Sequence, residues 1–251
     1  MENVKLIPNF DGLQVLRDRK NALLRANQID RILRRLLQTK DRNLDSQLIA
    51  DLFAHWGDPL QAAGESYLRS CIAHTSVSSG HILQCGVGLS TLLLGIANAR
   101  LNYVDNHLWA LTDDPHNANV IRSWLSQYQV TNTHIVVCQP HIFDGYVWYG
   151  VNTKQLPQGF TLALSDGGRA CVSGAVGLVY RMGEKLGTDS VILSRNLKKR
   201  EDQAMVFDWA KSNQLNCVVV DKSSGFLKVT KAVTKNRKFR AKAAHASLEL
   251  R

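Results

Sequence analysis

Several features that mark other classes of protein are missing from this sequence. It has no run of about 18 apolar residues, so no membrane span is expected, and no signal-like apolar block follows Met1–Lys5. The five cysteines are an odd number, are widely spaced, and include no C-x-x-C pair or Cys/His zinc pattern. We therefore expect a soluble, cytoplasmic protein with reduced cysteines and no zinc site.

Acidic residues are scarce toward the end of the chain. The net charge of the 251 residues is +10, and fourteen Lys and Arg face only five Asp and Glu after Ser194. The stretch from Lys231 to Lys242 has six basic residues and no acidic one. It would suit nucleic acid, an anionic membrane or an acidic partner, although a solvated tail that keeps the protein soluble explains it as well. Contact with nucleic acid through this segment is thus one hypothesis.

The first part of the chain has apolar residues at helical spacing and no grouping of catalytic side chains. From Gly12 to Lys40, leucine and isoleucine alternate with arginine in a pattern that predicts one or two amphipathic helices. The periodicity continues over Asn43–Trp56 and Pro59–Ala73, with Asp45 and Asp58 as candidate N-caps. We interpret this region as a helical cap on the next domain. A cover over the substrate or a dimer contact is the alternative.

Beyond the helical region, short apolar segments alternate with helical patterns of about a dozen residues. This alternation predicts a mostly parallel sheet with helices on both faces. Asp221–Gly225 would form a hairpin turn, so the last strand should be antiparallel. We interpret Gln139–Gly159 as a long aromatic loop, either functional or mobile. The predicted strands are His81–Cys85, His107–Thr112, His134–Cys138, Phe160–Ser165, Ser190–Ser194, Asn216–Val220 and Phe226–Val229, and the predicted helices are Leu89–Arg100, Pro115–Tyr128, Val172–Leu186 and Glu201–Ser212.

The strand His81–Cys85 runs into a glycine turn and then into an apolar helix. Gly86 and Gly88 permit a tight turn and let a ligand approach the backbone near the free N–H groups of the helix. Ligands of parallel α/β sheets bind at the carboxyl ends of the strands, so this turn is the first candidate site. Thr91 stands where a dinucleotide fingerprint needs its third glycine, and the Gly-Lys-Ser/Thr of a phosphate loop is absent. Both of these ligand classes are therefore disfavoured.

Four segments in register resemble class I methyltransferases, which use S-adenosylmethionine (SAM). Leu83–Thr91 is similar to the first motif of that family, and Trp109–Pro115 to the end of its second strand. Phe160–Gly168 resembles its fourth-strand motif, which ends in Asp-Gly, and Gly145–Tyr149 resembles the aromatic segment before it. The resemblance covers Ser79–Val229. It implies a Rossmann-like methyltransferase fold with a seven-stranded, mostly parallel sheet and an antiparallel terminal hairpin strand, SAM as cofactor, and methyl transfer to an unidentified acceptor.

The resemblance also implies which residues form the site. Gln84 stands where the family has an acid in its first motif, and the usual ribose acid falls at Thr112, so Asp113 would take over the ribose contact. Metal-dependent relatives need a second acid where this chain has Asn196, so no metal is expected beside Asp166. The expected cofactor contacts are Gln84, Gly86, Gly88, Ser90, Thr112, Asp113 and Asp166, and the expected catalytic residues are Asp166, His141 and Tyr149.

Structural alternatives exist for the same residues. Asp166 could cap the following helix, and His141 and Tyr149 could belong to ordinary packing. The replaced acids also fit a non-catalytic member of the fold that acts as a binding or scaffold module. The family's Asn-Pro-Pro-aromatic tetrapeptide is absent, which argues against methylation of an exocyclic nucleobase or amide nitrogen. We divide the chain into a helical cap at 1–76, a methyltransferase-like domain at 77–232 and a basic, flexible tail at 233–251.

Overall fold

The computed structural model describes residues 10–39, 45–56, 64–100, 106–166, 173–195, 197, 199–222 and 226–231. Within these ranges, three helices precede an alternation of strands and helices. The helices are α1 (Phe10–Gln38), α2 (Ser46–Trp56), α3 (Glu65–Val77), α4 (Leu89–Arg100), α5 (Pro115–Gln127), α6 (Gly174–Met182) and α7 (Arg200–Ser212). The strands are β1 (Ile82–Cys85), β2 (Leu108–Thr112), β3 (Thr133–Val137), β4 (Pro140–Phe143), β5 (Tyr146–Tyr149), β6 (Phe160–Ser165), β7 (Leu186–Ser194), β8 (Leu215–Asp221) and β9 (Phe226–Lys231).

Seven of the strands form one sheet in the order β3-β2-β1-β6-β7-β9-β8. β1 pairs in parallel with β2 on one side and with β6 on the other, and β9 runs antiparallel between β7 and β8. The chain builds outward from β1 to β3 and then crosses to the other side of β1 at β6. The carboxyl ends of β1 and β6 are thus the switch point of the sheet, where ligands of this architecture bind. The predicted fold class is confirmed.

The central strand and its neighbours follow from their sequences. All four residues of β1 are buried, as expected for a parallel strand covered on both faces. The bounds of α4 and β6 are those predicted, but Gly183 closes α6 at Met182 and a 3-10 turn leads directly into β7. The expectation that this helix reaches Leu186 and that the next strand starts at Ser190 was therefore wrong.

The segment Gln139–Gly159 is not an irregular loop, which corrects the sequence interpretation. It contains the antiparallel hairpin β4–β5 as a separate two-stranded sheet, followed by a 3-10 turn at Thr153–Gln155. The hairpin turn contains Gly145, whose φ of +81° is readily adopted only by glycine, directly after Asp144. Asp-Gly between aromatic and β-branched residues is a hairpin signal, and it was present in the sequence.

Two hydrophobic cores lie on opposite faces of the sheet. The first contains residues from α1, α2, α3 and α4, among them Leu33, Leu36, Leu52 and Leu92, all fully buried. The second lies under α6, α7 and the hairpin and includes Trp148. The amino-terminal helices therefore share one core with α4 and the sheet.

Several expectations fall on parts of the chain that are not described. Asp58, Asn196, Gly167–Gly168 and the tail 233–251 lie outside the described residues. Among the residues that are described, no helix has both the length and the apolar character needed to cross a bilayer. The same part of the chain contains no group of three His, Cys, Asp or Glu side chains arranged to hold a metal ion.

Candidate active site

The glycine turn lies between the carboxyl ends of three neighbouring strands. The Gly86 amide donates to the Leu111 carbonyl of β2 at 2.8 Å, and the Asp166 amide after β6 donates to the Cys85 carbonyl of β1 at 3.0 Å. These two bonds extend the parallel pairing past the strands into the turn. The side chains that follow β1, β2 and β6 are thereby brought to one edge of the sheet.

The two glycines of the turn have different roles. Gly86 has a φ of +108°, and a Cβ built there would lie 3.3 Å from the Cβ of Asp166, so both conformation and space favour glycine. A Cβ at Gly88 would have no heavy atom within 4 Å, so the turn is open on that side. The Gly88 amide donates to Thr91 Oγ1 at 3.0 Å. Thr91, the residue that departs from a dinucleotide fingerprint, therefore satisfies a backbone donor of the turn.

A buried cluster joins Gln84, Ser90 and Asp166. Gln84 Nε2 donates to Ser90 Oγ at 2.8 Å and to Asp166 Oδ2 at 2.7 Å, and Ser90 Oγ donates to the same carboxylate oxygen. Gln84 is fully buried, while Ser90 and Asp166 are 2% and 8% exposed. The site residues expected on β1, on α4 and after β6 are thus in direct contact.

The cluster leaves two acceptors unused. An ionised carboxylate can only accept, so the Gln84 amide must direct its NH₂ group toward Asp166 and its oxygen away. Gln84 Oε1 and Asp166 Oδ1 are both buried, and neither has a hydrogen-bond partner within the described ranges of the chain. Buried polar atoms in proteins are nearly always paired, so these two oxygens, which no donor of the described residues satisfies, are open to a donor from a ligand.

The same geometry explains why glutamine replaces the expected acid at position 84. A second carboxylate would face Asp166 at the 2.7 Å separation now occupied by an N–H···O bond. Two like charges at that distance repel strongly, whereas an amide supplies two donors. Gln84 therefore stabilises Asp166 in a way that an acid could not.

The polar residues at the end of β2 make different contacts. Thr112 is buried, and its Oγ1 accepts from the Asp114 amide at 3.0 Å. The Asp114 carboxylate caps α5 by accepting from the amides of His116 and Asn117 at 2.9 and 3.1 Å. Asp113 is half-buried between them. Of the two acids, Asp113 is the one whose carboxylate is not engaged in capping the helix.

The hairpin places its two candidate residues in very different surroundings. Tyr149 is fully buried, and its hydroxyl has no hydrogen-bond partner in the part of the chain that the structure describes. Burial raises the pKa of Tyr149, and the nearby Cys85 and Asp113 raise it further, so the phenol stays protonated at neutral pH. His141 is exposed, with its ring 4.9 Å from that of Phe143. The described contacts of His141 do not join it to the Gln84–Ser90–Asp166 cluster.

Two further residues beside Asp166 were not predicted as site residues. Arg195 is 8% exposed, and its Nε donates to the Asp166 carbonyl at 3.0 Å. Tyr67 of α3 is buried and donates to the Leu193 carbonyl at 3.4 Å, and its pKa is raised by burial and by the negative charge of Asp166. The helical spacing of Tyr67 pointed only to a core position, and no local signal connects it with a strand end so distant in sequence.

Comparison with known proteins agrees with this geometry at the level of the fold. No protein-family model matches the chain, and no curated protein sequence is significantly similar to it. Among solved structures, an O-methyltransferase from Bacillus cereus in complex with SAH superposes with a TM-score of 0.51 at 11% identity, covering 74% of this chain and 90% of that one. A protein from Corynebacterium glutamicum gives a TM-score of 0.52 at 13% identity, covering 76% and 91%. The chain has the Rossmann-like fold of class I SAM-dependent methyltransferases.

Proposed function

We propose that this protein binds SAM at the glycine turn and transfers its methyl group to an acceptor. The observation that carries the proposal is a pair of buried oxygens, Gln84 Oε1 and Asp166 Oδ1, which accept no hydrogen bond from the residues that the structure describes. Both are acceptors, and they lie at the switch point of the sheet beside a turn that is open at Gly88. A ligand that satisfies them must bring donors, preferably with positive charge.

SAM fits this requirement better than the other ligands of similar folds. Its amino-acid tail carries an ammonium group, which would donate to Asp166 Oδ1 and Gln84 Oε1. A pyrophosphate would instead bring negative charge against a carboxylate and an amide oxygen. The absence of a third glycine and of a phosphate loop in the sequence points the same way.

Other residues would hold the remaining parts of SAM. The Asp113 carboxylate, free of the capping role of Asp114, would accept from the ribose hydroxyls. Gly86 and Gly88 would let the backbone approach the adenosine and methionine portions. The buried Tyr149 hydroxyl, kept protonated by its raised pKa, would act as a donor and not as a base.

SAM supplies a methyl group that is already activated by its positive sulfur. The chain then has to hold the cofactor and align the acceptor behind the methyl carbon. Asp166 would serve the first task, and it would also be the candidate for proton removal. We assign no catalytic contact to His141, since the cluster does not include it. The competing function is that of a scaffold protein with the same fold that does not bind SAM. The replacement of the first-motif acid by Gln84 favours this alternative.

Calorimetric titration separates the two functions. We expect SAM and its product S-adenosylhomocysteine to bind the wild-type chain. Asp166→Asn and Asp113→Asn should each weaken SAM binding by about 10- to 100-fold, because each removes a charged hydrogen bond. Asp208→Asn, an equivalent change at an exposed position of α7, should have no effect. If the wild-type chain gives no heat with millimolar SAM, the scaffold function stands instead.

A transfer assay tests the enzymatic half of the proposal. Methyl-labelled SAM would be incubated with the protein and a fractionated cell extract, and incorporation of label would be followed in each fraction. We expect incorporation with the wild-type chain and with Asp208→Asn. With Asp113→Asn we expect little incorporation when the SAM concentration is below the Kd of this variant, which the substitution should raise. SAM binding without incorporation in any fraction would favour a binding module.

A further inference from the structure

Helix α1 carries apolar residues on two opposite sides. In its second half, Ile29, Ile32, Leu33 and Leu36 are buried in the core shared with α4. At 100° per residue, Leu23 and Leu24 fall on the side roughly opposite to these four residues. They are 63% and 52% exposed, which agrees with that placement.

The helix cannot turn this outer side toward the core. Asp30 accepts from Arg34 at 2.9 Å within α1, and from Gln127 Nε2 and Tyr128 OH at 2.8 Å at the end of α5. These bonds and the four buried aliphatic residues fix the rotation of α1. Leu23 and Leu24 therefore remain exposed in the folded chain.

The outer side of α1 is basic as well as apolar. Lys20, Arg31 and Arg35 are exposed and share the side of Leu23 and Leu24 by helical periodicity. The acid nearest to this side, Asp30, is engaged by Arg34, Gln127 and Tyr128. Over Lys20–Gln38 the outer side thus combines aliphatic side chains with positive charge that no acid among the described residues pairs.

We infer that the outer side of α1, defined by Lys20, Leu23, Leu24, Arg31 and Arg35, docks on an anionic lipid surface. Leucines on one side with basic residues among them are what an in-plane amphipathic helix needs: the aliphatic groups enter the acyl boundary and the cations meet the headgroups. The helix has 29 residues and is about 43 Å long, and it would lie flat with the core of the protein above it.

Charge distinguishes the lipid surface from the two other occupants. A second copy of α1 would set Lys20, Arg31 and Arg35 against the same cations, and like charges in such an interface are unfavourable. Nucleic acid would match the cations, but its phosphate backbone would leave Leu23 and Leu24 without an apolar partner. Anionic lipid satisfies both properties of the surface.

Vesicle co-sedimentation of the full chain tests the inference. The vesicles would be phosphatidylcholine alone, or phosphatidylcholine with about one third phosphatidylglycerol. We expect binding to the anionic vesicles, with Leu23→Ser/Leu24→Ser lowering the partition coefficient by roughly tenfold or more. The matched control is Ile142→Ser/Val220→Ser, which removes side chains of residues that are 79% and 51% exposed on other elements and should bind as wild type. Lys20→Gln/Arg31→Gln should weaken binding and reduce its salt dependence.

Several results would overturn the inference. One is that the wild-type chain does not bind the anionic vesicles. Another is that the wild type and Leu23→Ser/Leu24→Ser bind equally, which would show that basic residues elsewhere in the chain hold the protein on the vesicles. A shift from dimer to monomer in sedimentation velocity, caused by the leucine substitutions alone, would identify a second copy as the occupant. If Lys20→Gln/Arg31→Gln lost retention on single-stranded RNA but bound vesicles as the wild type does, nucleic acid would be identified as the occupant of this surface.

Discussion

At the scale of single residues, Gln84 has the largest consequences for the site. Its amide donates to both Ser90 and Asp166, so it neutralises none of the carboxylate charge but satisfies one of its oxygens. The expected acid would reverse the sign of that contact. The chemistry of position 84 is therefore set by Asp166, which follows a different strand, and not by the turn in which it lies.

Gln84→Glu should destabilise the protein in a pH-dependent way. Two carboxylates at hydrogen-bond distance share one proton, so the pair resists full ionisation. We expect a loss of about 2–3 kcal/mol in the free energy of unfolding at neutral pH, measured by urea denaturation, and a smaller loss under acidic conditions. In the double variant Gln84→Glu/Asp166→Asn the carboxylate lies at position 84 and the amide donor at position 166. This variant should recover most of the lost free energy of unfolding. If the single variant were as stable as wild type at both pH values, the contact would be misplaced.

At the scale of elements, the hairpin β4–β5 and helix α6 depend on one close approach. Trp148 of β5 is fully buried, and a Cβ built at Gly177 of α6 would lie 2.0 Å from its ring. The glycine costs helix propensity but lets the indole lie directly against the helix backbone. The hairpin lies in the connection from β3 to β6, and a connection between parallel strands usually contains a helix.

Gly177→Ala should lower the stability although alanine is the better helix former. The added methyl group has no room, so Trp148 or α6 must move, at a cost of about 1–3 kcal/mol or more in the free energy of unfolding. In a Trp148→Leu background the same change should cost much less, which a double-mutant cycle by chemical denaturation would measure. An equal cost in both backgrounds would mean that the ring is not the obstacle.

At the scale of the whole molecule, α1 joins the amino-terminal helices to the sheet domain through the shared core. Leu36 is fully buried there, whereas Leu23 is 63% exposed on the same helix. We expect Leu36→Ala to lower the free energy of unfolding by about 2–4 kcal/mol, and Leu23→Ala by less than about 0.5 kcal/mol. Thermal and urea denaturation would measure both. Equal effects would contradict the opposite placement of the two leucines.

The amino ends of β1, β2 and β3 carry a histidine group that affects the pH dependence of folding. His107 Nδ1 and His134 Nε2 are 2.7 Å apart, and the His134 ring also stacks on Trp109 at 4.4 Å. Burial lowers the pKa of His134 below its ordinary 6.5, and the neighbouring His107 and His81 lower it further. The folded chain therefore takes up this proton less readily than the unfolded chain does.

Stability should consequently decrease as the pH falls. The contribution of His134 is fully present above pH 6.5 and is lost as the pH drops from there through the folded-state pKa. His134→Gln should therefore reduce the difference in unfolding free energy between about pH 7.5 and pH 5.5, as measured by urea denaturation. An unchanged difference in this variant would show that other groups cause it.

The sequence by itself determined the order of the helices and of the seven strands in the main sheet, the glycine turn after β1 and the antiparallel end of that sheet. Those features follow from periodicity and from turn residues that act within about a dozen positions. Only the tertiary structure decided that Gln84 donates to Asp166, that Asp114 and not Asp113 caps α5, and that Tyr67 and Arg195 lie beside Asp166. It also decided which leucines of α1 are buried. These outcomes depend on contacts between residues far apart in the chain, and helical or strand periodicity carries no information about such partners.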